Sequence, residues 1–158
     1  MRAVTVVGLL LVCGSVLNAP AAISGEPHRL VGTWAVDVSK LQQPDPPRRV
    51  TMVLAEAGDG QYAISVEIVA SDGSVTRAGS TFRPDGSAVR VQGSLDLDLA
   101  ASSMPTDRVM IMGTAMNGHP ASSRVYTLSD DGSRMIETAI RHLPDGTPYM
   151  RVFTWIRQ

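Results

Sequence analysis

The chain has 158 residues and an almost balanced charge, with 14 Lys plus Arg against 15 Asp plus Glu. A chain of this length suffices for one domain and is too short for two ordinary ones. Because no basic run or basic-aromatic pattern appears, nucleic acid is excluded as an expected partner.

The first residues have the pattern of a secretory signal peptide. Residues 3–17 are almost wholly apolar after a positive start at Arg2. Ala19 and Ala21 are small residues at the two positions that a signal peptidase reads. Since the apolar run is shorter than the ~20 residues that cross a bilayer, we expect residues 1–21 to be removed and the mature protein to be secreted or periplasmic.

The only cysteine, Cys13, lies inside this segment. Lipid attachment there is the less favoured alternative, because Val12 is bulkier than the residue that normally precedes a lipidated cysteine. The mature chain, residues 22–158, then has no cysteine, and its fold must rest on its own core. We predict a single domain with its core at residues 30–158, and no membrane span after the signal.

Turn signals recur along the rest of the chain at intervals of one strand plus one turn. Asp-Gly or Asn-Gly pairs, which tolerate the positive φ of tight hairpin turns, begin at positions 59, 72, 85, 117, 131 and 145. The segments between them predict nine strands, at 31–39, 49–57, 61–70, 74–83, 87–98, 107–116, 121–129, 133–142 and 147–157. The proline-rich residues 41–49 are predicted as an extended connector, and residues 100–106 as a longer gap between hairpins.

Long strands joined by short turns are typical of an antiparallel up-and-down meander. Residues 61–69 alternate cleanly between apolar and polar side chains, and no segment has a convincing helical period. A meander of this size exposes two long edges unless it closes. We therefore predict an all-β fold, a small barrel of about 8–10 strands with room for side chains or one small ligand.

The first and last strands carry a family resemblance. Gly32, Thr33 and Trp34 at the start, with Arg157 at the end, resemble the lipocalin and fatty-acid-binding protein superfamily. The resemblance implies a lipocalin-like (calycin-type) barrel in which the tryptophan plugs one end and the arginine packs across its ring, with Arg151 as the second candidate. Physically, a guanidinium over an indole adds a cation–π contact to a large buried area.

The order of motifs is also similar to that of uncharacterised exported bacterial proteins with lipocalin-like folds. The motifs are the Gly-Thr-Trp, the proline-rich connector, the Gly-Asp-Gly at 58–60 and the Ser-Asp-Asp-Gly-Ser at 129–133. This resemblance covers about residues 30–158. It implies a fold and no particular activity.

Two arginine motifs are candidates for ligand binding. In fatty-acid-binding proteins an Arg-x-Tyr on the last strand grips the ligand carboxylate. Here Arg124 and Tyr126 have those residue types on an earlier strand, whereas Arg151 and Phe153 lie on the last strand without the hydroxyl. An interior arginine implies a bound anion or an internal carboxylate. A surface arginine implies neither, and the sequence leaves both placements open.

A methionine stripe is a candidate metal site. Met110, Met112 and Met116 fall on one side of a predicted strand, and His119 follows the next turn. Thioethers with an imidazole suit Cu(I). The alternative is that these methionines are adaptable packing of the barrel interior.

Little in the sequence indicates catalysis. There is no Gly-x-Ser-x-Gly and no Ser-x-x-Lys, and the three histidines are predicted near turns. Asp96 and Asp98 would share one face of the strand predicted at 87–98, either as an acid–base or cation pair or as the wet face of that strand. The expectation leans against an enzyme, and no cofactor is expected.

Three functional hypotheses follow. The first is an exported barrel that binds a lipid-like or amphipathic small molecule. The alternative is a filled barrel that serves as a structural or protein-interaction module of the cell envelope. The third is a periplasmic Cu(I)-binding protein that uses the methionine stripe.

Overall fold

The computed structural model describes residues 28–93 and 96–158. The expected signal peptide, with Cys13, lies outside these residues. In the described part there is no α-helix, and one short 3-10 turn covers Val38–Lys40. The strands are β1 Gly32–Val36, β2 Arg49–Gly58, β3 Gln61–Val69, β4 Val75–Phe82, β5 Asp85–Arg90, β6 Gln92–Gly93, β7 Leu99–Thr106, β8 Val109–Met116, β9 His119–Leu128, β10 Arg134–His142 and β11 Pro148–Arg157.

All eleven strands belong to one antiparallel sheet, in the order β5-β7-β8-β9-β10-β11-β1-β2-β3-β4-β6. Most neighbours in the sheet are also neighbours in the chain, and the pairing of β1 with β11 joins the two ends. The sheet curls into a nearly closed barrel. The predicted all-β meander is therefore confirmed. No helix in the described ranges is long and apolar enough to cross a membrane.

The strand predicted at 87–98 is wrong in its second half. The chain forms β5 and then the two-residue β6, and Asp96, whose φ is 55°, lies outside any strand. Gly93 is needed in β6, because a Cβ there would collide with the carbonyl of Arg77 on β4. Asp96 and Asp98 therefore do not share the face of a strand. Asp98 instead accepts a hydrogen bond from the Asn117 backbone N–H, at 3.1 Å.

The gap predicted at 100–106 is also wrong, since these residues belong to β7. Their small side chains have little intrinsic preference for strands. Here β7 pairs with β8 on one side and β5 on the other, and Ala100 and Ser102 are buried. Tertiary pairing therefore decides the conformation of this segment.

The large apolar side chains of the interior gather at one end of the barrel. This packed end consists of Leu30, Trp34, Leu54, Phe82, Met110, Leu128 and Met135, each of them almost completely buried. The connector between β1 and β2, the turn between β3 and β4 and the turn between β10 and β11 all lie at the opposite end. The barrel thus has a closed, filled half and a second half that contains a cavity.

Candidate ligand-binding cavity

The half of the barrel away from the packed end contains a cavity of about 570 Å³. Its walls are mostly the inward apolar side chains of the strands, because alternate residues of a strand face the same side. They include Val36, Val50, Met52, Ile64, Val66, Met112, Phe153 and Trp155. A pocket of this size and character is typical of small-molecule sites.

The proline-rich connector forms one side of the cavity mouth. Leu41, Gln43, Asp45 and Pro47, which are alternate residues of the connector, line the cavity. The connector is not extended throughout, in contrast to the sequence prediction, because it bends at residues 43–45 and Asp45 has a φ of 53°. Its prolines lack an N–H, so it cannot extend the strand ladder. The connector therefore borders the mouth without adding a strand to the barrel.

A buried ion pair lies in the cavity wall. Glu137 on β10 is only 2% exposed, and Arg124 on β9 donates from Nη1 to its Oε1 at 3.1 Å. Trp155 donates from Nε1 to the other carboxylate oxygen at 2.9 Å. The Arg124 Nε donates to the Ser122 hydroxyl oxygen at 3.0 Å. Both carboxylate oxygens thus have partners, as a buried charge requires.

The strand register explains this cluster. Tyr126 lies opposite Glu137, and Arg124 lies opposite Ala139, in the pairing of β9 with β10. Burial raises the pKa of Glu137, while Arg124 and Trp155 act in the opposite direction. Burial, together with the nearby Glu137 carboxylate, also raises the pKa of Tyr126. The protonation of each of these buried groups therefore depends on the charge of its neighbours in the cluster.

Two candidates from the sequence, Arg124 and Tyr126, therefore face the interior. The counter-charge of Arg124 is the internal carboxylate of Glu137, which sequence analysis did not name. No clear signal in the sequence marks Glu137, because Ile136 and Ile140 make the opposite side of this strand at least as apolar as the side that carries the glutamate.

Two further arginines line the cavity nearer to the mouth. Arg151 lies opposite Ala139, and Arg141 is the next inward residue of β10. Arg151 donates from Nη1 to Gln43 Oε1 of the connector, at 3.3 Å. Among the described residues, neither arginine has a carboxylate within 4.0 Å. Phe153, the other candidate on β11, lines the cavity one inward position deeper.

The charge of the mouth is mixed. Asp45 of the connector and Asp96 of the segment before β7 also line the cavity. They lie on elements other than β10 and β11, which carry Arg141 and Arg151. The mouth thus presents two guanidinium groups on one wall and two separate carboxylates elsewhere on its rim.

Trp34 and Arg157 lie at the packed end, away from the cavity lining. The Arg157 Cζ is 4.2 Å from the centroid of the Trp34 ring. Arg157 also donates hydrogen bonds to the carbonyls of Gly132 and Val31, each at 2.8 Å. A Cβ at Gly32 would collide with its Nη1. The hydrogen bonds hold the arginine over the indole.

The structure does not bring the four predicted metal ligands together. Met110 and Met112 belong to the hydrophobic core, whereas Met116 at the end of β8 and His119 opposite it are exposed. Six residues of strand span about 20 Å, so Met110 and Met116 cannot bind the same ion. The described ranges contain no group of three or more His, Cys, Asp or Glu residues placed to hold a metal.

No protein-family model matches the sequence, and no curated protein matches it. Crystal structures of two mutants of the fluorescent protein UnaG are similar to the described barrel, with TM-scores of 0.51 and 0.52. Each is 12% identical in sequence, and each match covers 82% of this chain and 96% of the UnaG chain. The likeness shows that the chain shares its β-barrel fold with UnaG.

Proposed function

We propose that this protein is exported and binds a small amphipathic molecule inside its barrel. The apolar part of the ligand lies in the cavity, and a single acidic group lies at the mouth beside Arg151 and Arg141. One observation carries the proposal: an apolar cavity of about 570 Å³ has two arginines at its mouth without acidic partners.

The depth of the cavity suits an apolar group. Trp155, Phe153 and Met52 form its inner walls, beyond which the packed end begins. Each methylene buried there contributes about 0.8 kcal/mol to binding. A ligand with a lipid-like or flat aromatic body therefore gains most by inserting that body first.

The mouth suits the acidic group better than the interior does. Arg124 is already paired with Glu137, so a second carboxylate there would meet the charge of the first. Arg151 and Arg141 can instead each donate charged hydrogen bonds to a ligand. Asp45 and Asp96 on the same rim disfavour a polyanion, which leaves one acidic group as the best match.

The alternative of a filled structural barrel is not favoured. A filled barrel requires a densely packed interior along its whole length. The cavity occupies the half of this barrel that such packing would have to fill. Binding to an envelope protein would use the outside of the barrel, and it does not depend on whether the interior is filled.

Two dyes with the same apolar body test the proposal. 1-Anilinonaphthalene-8-sulfonate carries an acidic group, and N-phenyl-1-naphthylamine lacks it. We expect both dyes to bind, the sulfonate more tightly, and the double variant Arg141→Ala, Arg151→Ala to weaken the sulfonate about tenfold. Affinity for the neutral dye should change less than twofold. Fluorescence titration measures both affinities.

The matched control is Arg134→Ala, which removes an arginine from the outside of β10 and should leave both dyes unaffected. If neither dye binds the wild-type protein, cavity binding itself is wrong. If the double substitution changes the affinity of neither dye, the cavity binds apolar molecules but the acidic group is not held at the mouth.

A further inference from the structure

The outside of β8–β11 departs from the usual pattern of an antiparallel sheet, in which the face toward water is polar. Six apolar residues on this face are each 37–68% exposed. We call them the outer apolar face: Ile111, Val125, Ile136, Ile140, Met150 and Val152.

These residues form one contiguous surface. Ile111 lies opposite Val125, and Val152 lies opposite Thr138, which itself lies opposite Val125. A row of four residues thus crosses four neighbouring strands. Side chains directly opposite each other are about 5 Å apart, so water does not separate the members of this row.

The outer apolar face also lacks charge. Outward from β10, charged or titratable side chains occur only at its two ends, Arg134 and His142. The outside of β2–β4 is different, since Glu67 there pairs with Arg49 at 2.7 Å and with Arg77 at 2.6 Å. Charged side chains are therefore present on the outside of β2–β4 and missing from the middle of the outer apolar face.

We propose that two copies of this protein pack together through the outer apolar face, sheet against sheet and about a twofold axis. In a twofold dimer the same surface of each copy meets the other. Because the outer apolar face carries no charge in its middle, its two copies do not repel each other electrostatically. Two sheets can pack about 10 Å apart with their strands within about 30° of each other.

The area of the face fits this partner. Four strands spaced about 4.8 Å apart and about 25 Å long cover on the order of 500 Å². A standard interface buries about 800 Å² on each partner, with an apolar centre and a polar rim. The face, with the threonines and serines of the same strands, supplies the centre of such an interface, and side chains beyond these four strands would supply its rim.

A membrane is a poorer match. Surfaces that lie on bilayers carry aromatic anchors and basic residues around their apolar side chains. Between the two ends of β10, the outer apolar face has neither, since its polar neighbours are Ser123, Thr127, Thr138 and Thr154. The dimer also leaves the cavity mouth open, because the mouth lies at the strand ends and the interface on the strand faces.

Sedimentation velocity over a dilution series tests the dimer. The protein is expressed from its first residue and purified from the cell fraction in which it accumulates. We expect a wild-type dimer, and Val152→Glu should weaken association at least about 100-fold by placing unpaired charges in the interface. Val75→Glu is the matched control on β4, at a valine that is also exposed, and should remain dimeric.

Thermal unfolding of each variant verifies that it is folded, which is expected because both valines face solvent in one copy. A wild-type protein that stays monomeric at high micromolar concentration overturns the proposal. So does a dimer that both substitutions dissociate equally, since the interface would then lie elsewhere. Flotation of a monomeric protein with phosphatidylglycerol vesicles would identify a membrane as the partner instead.

Discussion

The two halves of the barrel share the same strands but differ in the size of the inward side chains. Along β10 the inward residues run from Met135 through Glu137 to Ala139, and along β4 they run from Phe82 through Ser80 to Ala78. On these two strands large residues fill the packed end, and small or polar residues leave room for the cavity. Larger side chains border the cavity on other strands, namely Met112, Phe153 and Trp155. The hollow is therefore produced by side-chain volume along continuous strands, without a change in the backbone architecture.

The division also separates stability from binding. The packed end contains dense apolar contacts and the contact of Arg157 with Trp34, which stabilise the fold. The cavity half has fewer such contacts and more groups able to meet a ligand. Functional sites commonly reduce the stability of a protein in this way. We therefore expect that substitutions can alter the stability of the packed end and the binding of the cavity half independently.

Trp34→Ala should have the largest effect. It removes a fully buried indole from the packed end together with its contact to Arg157. We expect a loss of about 3–5 kcal/mol in the free energy of unfolding, measured by urea denaturation. Phe153→Ala is the matched change in the cavity half, where part of the ring already faces empty space. It should cost about 1 kcal/mol, because little new cavity is created. Equal losses would contradict the division into two halves.

Substitutions that enlarge a buried side chain should give the next largest difference in stability between the two halves. Ser102 and Ala139 are each 2% exposed, but only Ala139 lines the cavity. Ser102→Leu should destabilise the protein by about 1–3 kcal/mol through overpacking. Ala139→Leu has room for the larger side chain, so its unfolding free energy should change by less than about 1 kcal/mol. The same variant should bind the naphthyl dyes much more weakly, because leucine occupies part of their site.

Sequence reasoning located the elements whose signals are local. The alternation of residues 61–69 and the Asp-Gly turns depend only on neighbouring residues, and both are present in the structure. The contact of Trp34 with Arg157 was expected from a resemblance, and the structure places the two side chains against each other. Local pattern and resemblance together thus anticipated most of the barrel.

The features that sequence reasoning missed depend on contacts between distant segments. β7 is a strand because β5 and β8 flank it, although its alanines and serines do not favour one. The pair of Arg124 with Glu137 depends on the register of β9 against β10, which no single strand reveals. Likewise, the lack of an acidic partner for Arg151 can be recognised only when its surroundings are known.

The smallest effects should appear in the dependence of stability on pH, where carboxylates of the two halves act in opposite directions. Asp131, in the turn before β10, accepts hydrogen bonds from Ser129 and Ser133, which lower its pKa to about 2. The folded form then binds its proton less tightly than the unfolded chain does. Asp131 therefore contributes stability above its ordinary pKa of 3.8, and this contribution is lost as the pH falls toward 2.

Glu137 should have the opposite effect on the dependence of stability on pH. Burial raises its pKa above the ordinary 4.5, so the folded protein holds this proton more tightly than the unfolded chain. Its contribution is fully present below pH 4.5 and is lost as the pH rises through the raised pKa. Urea denaturation across this range should show a smaller fall with rising pH in Glu137→Gln than in the wild type. Asp131→Asn should instead remove part of the loss at low pH. If Glu137→Gln steepened the fall with rising pH, the ion pair with Arg124 would outweigh burial, and the pKa of Glu137 would lie below its ordinary value.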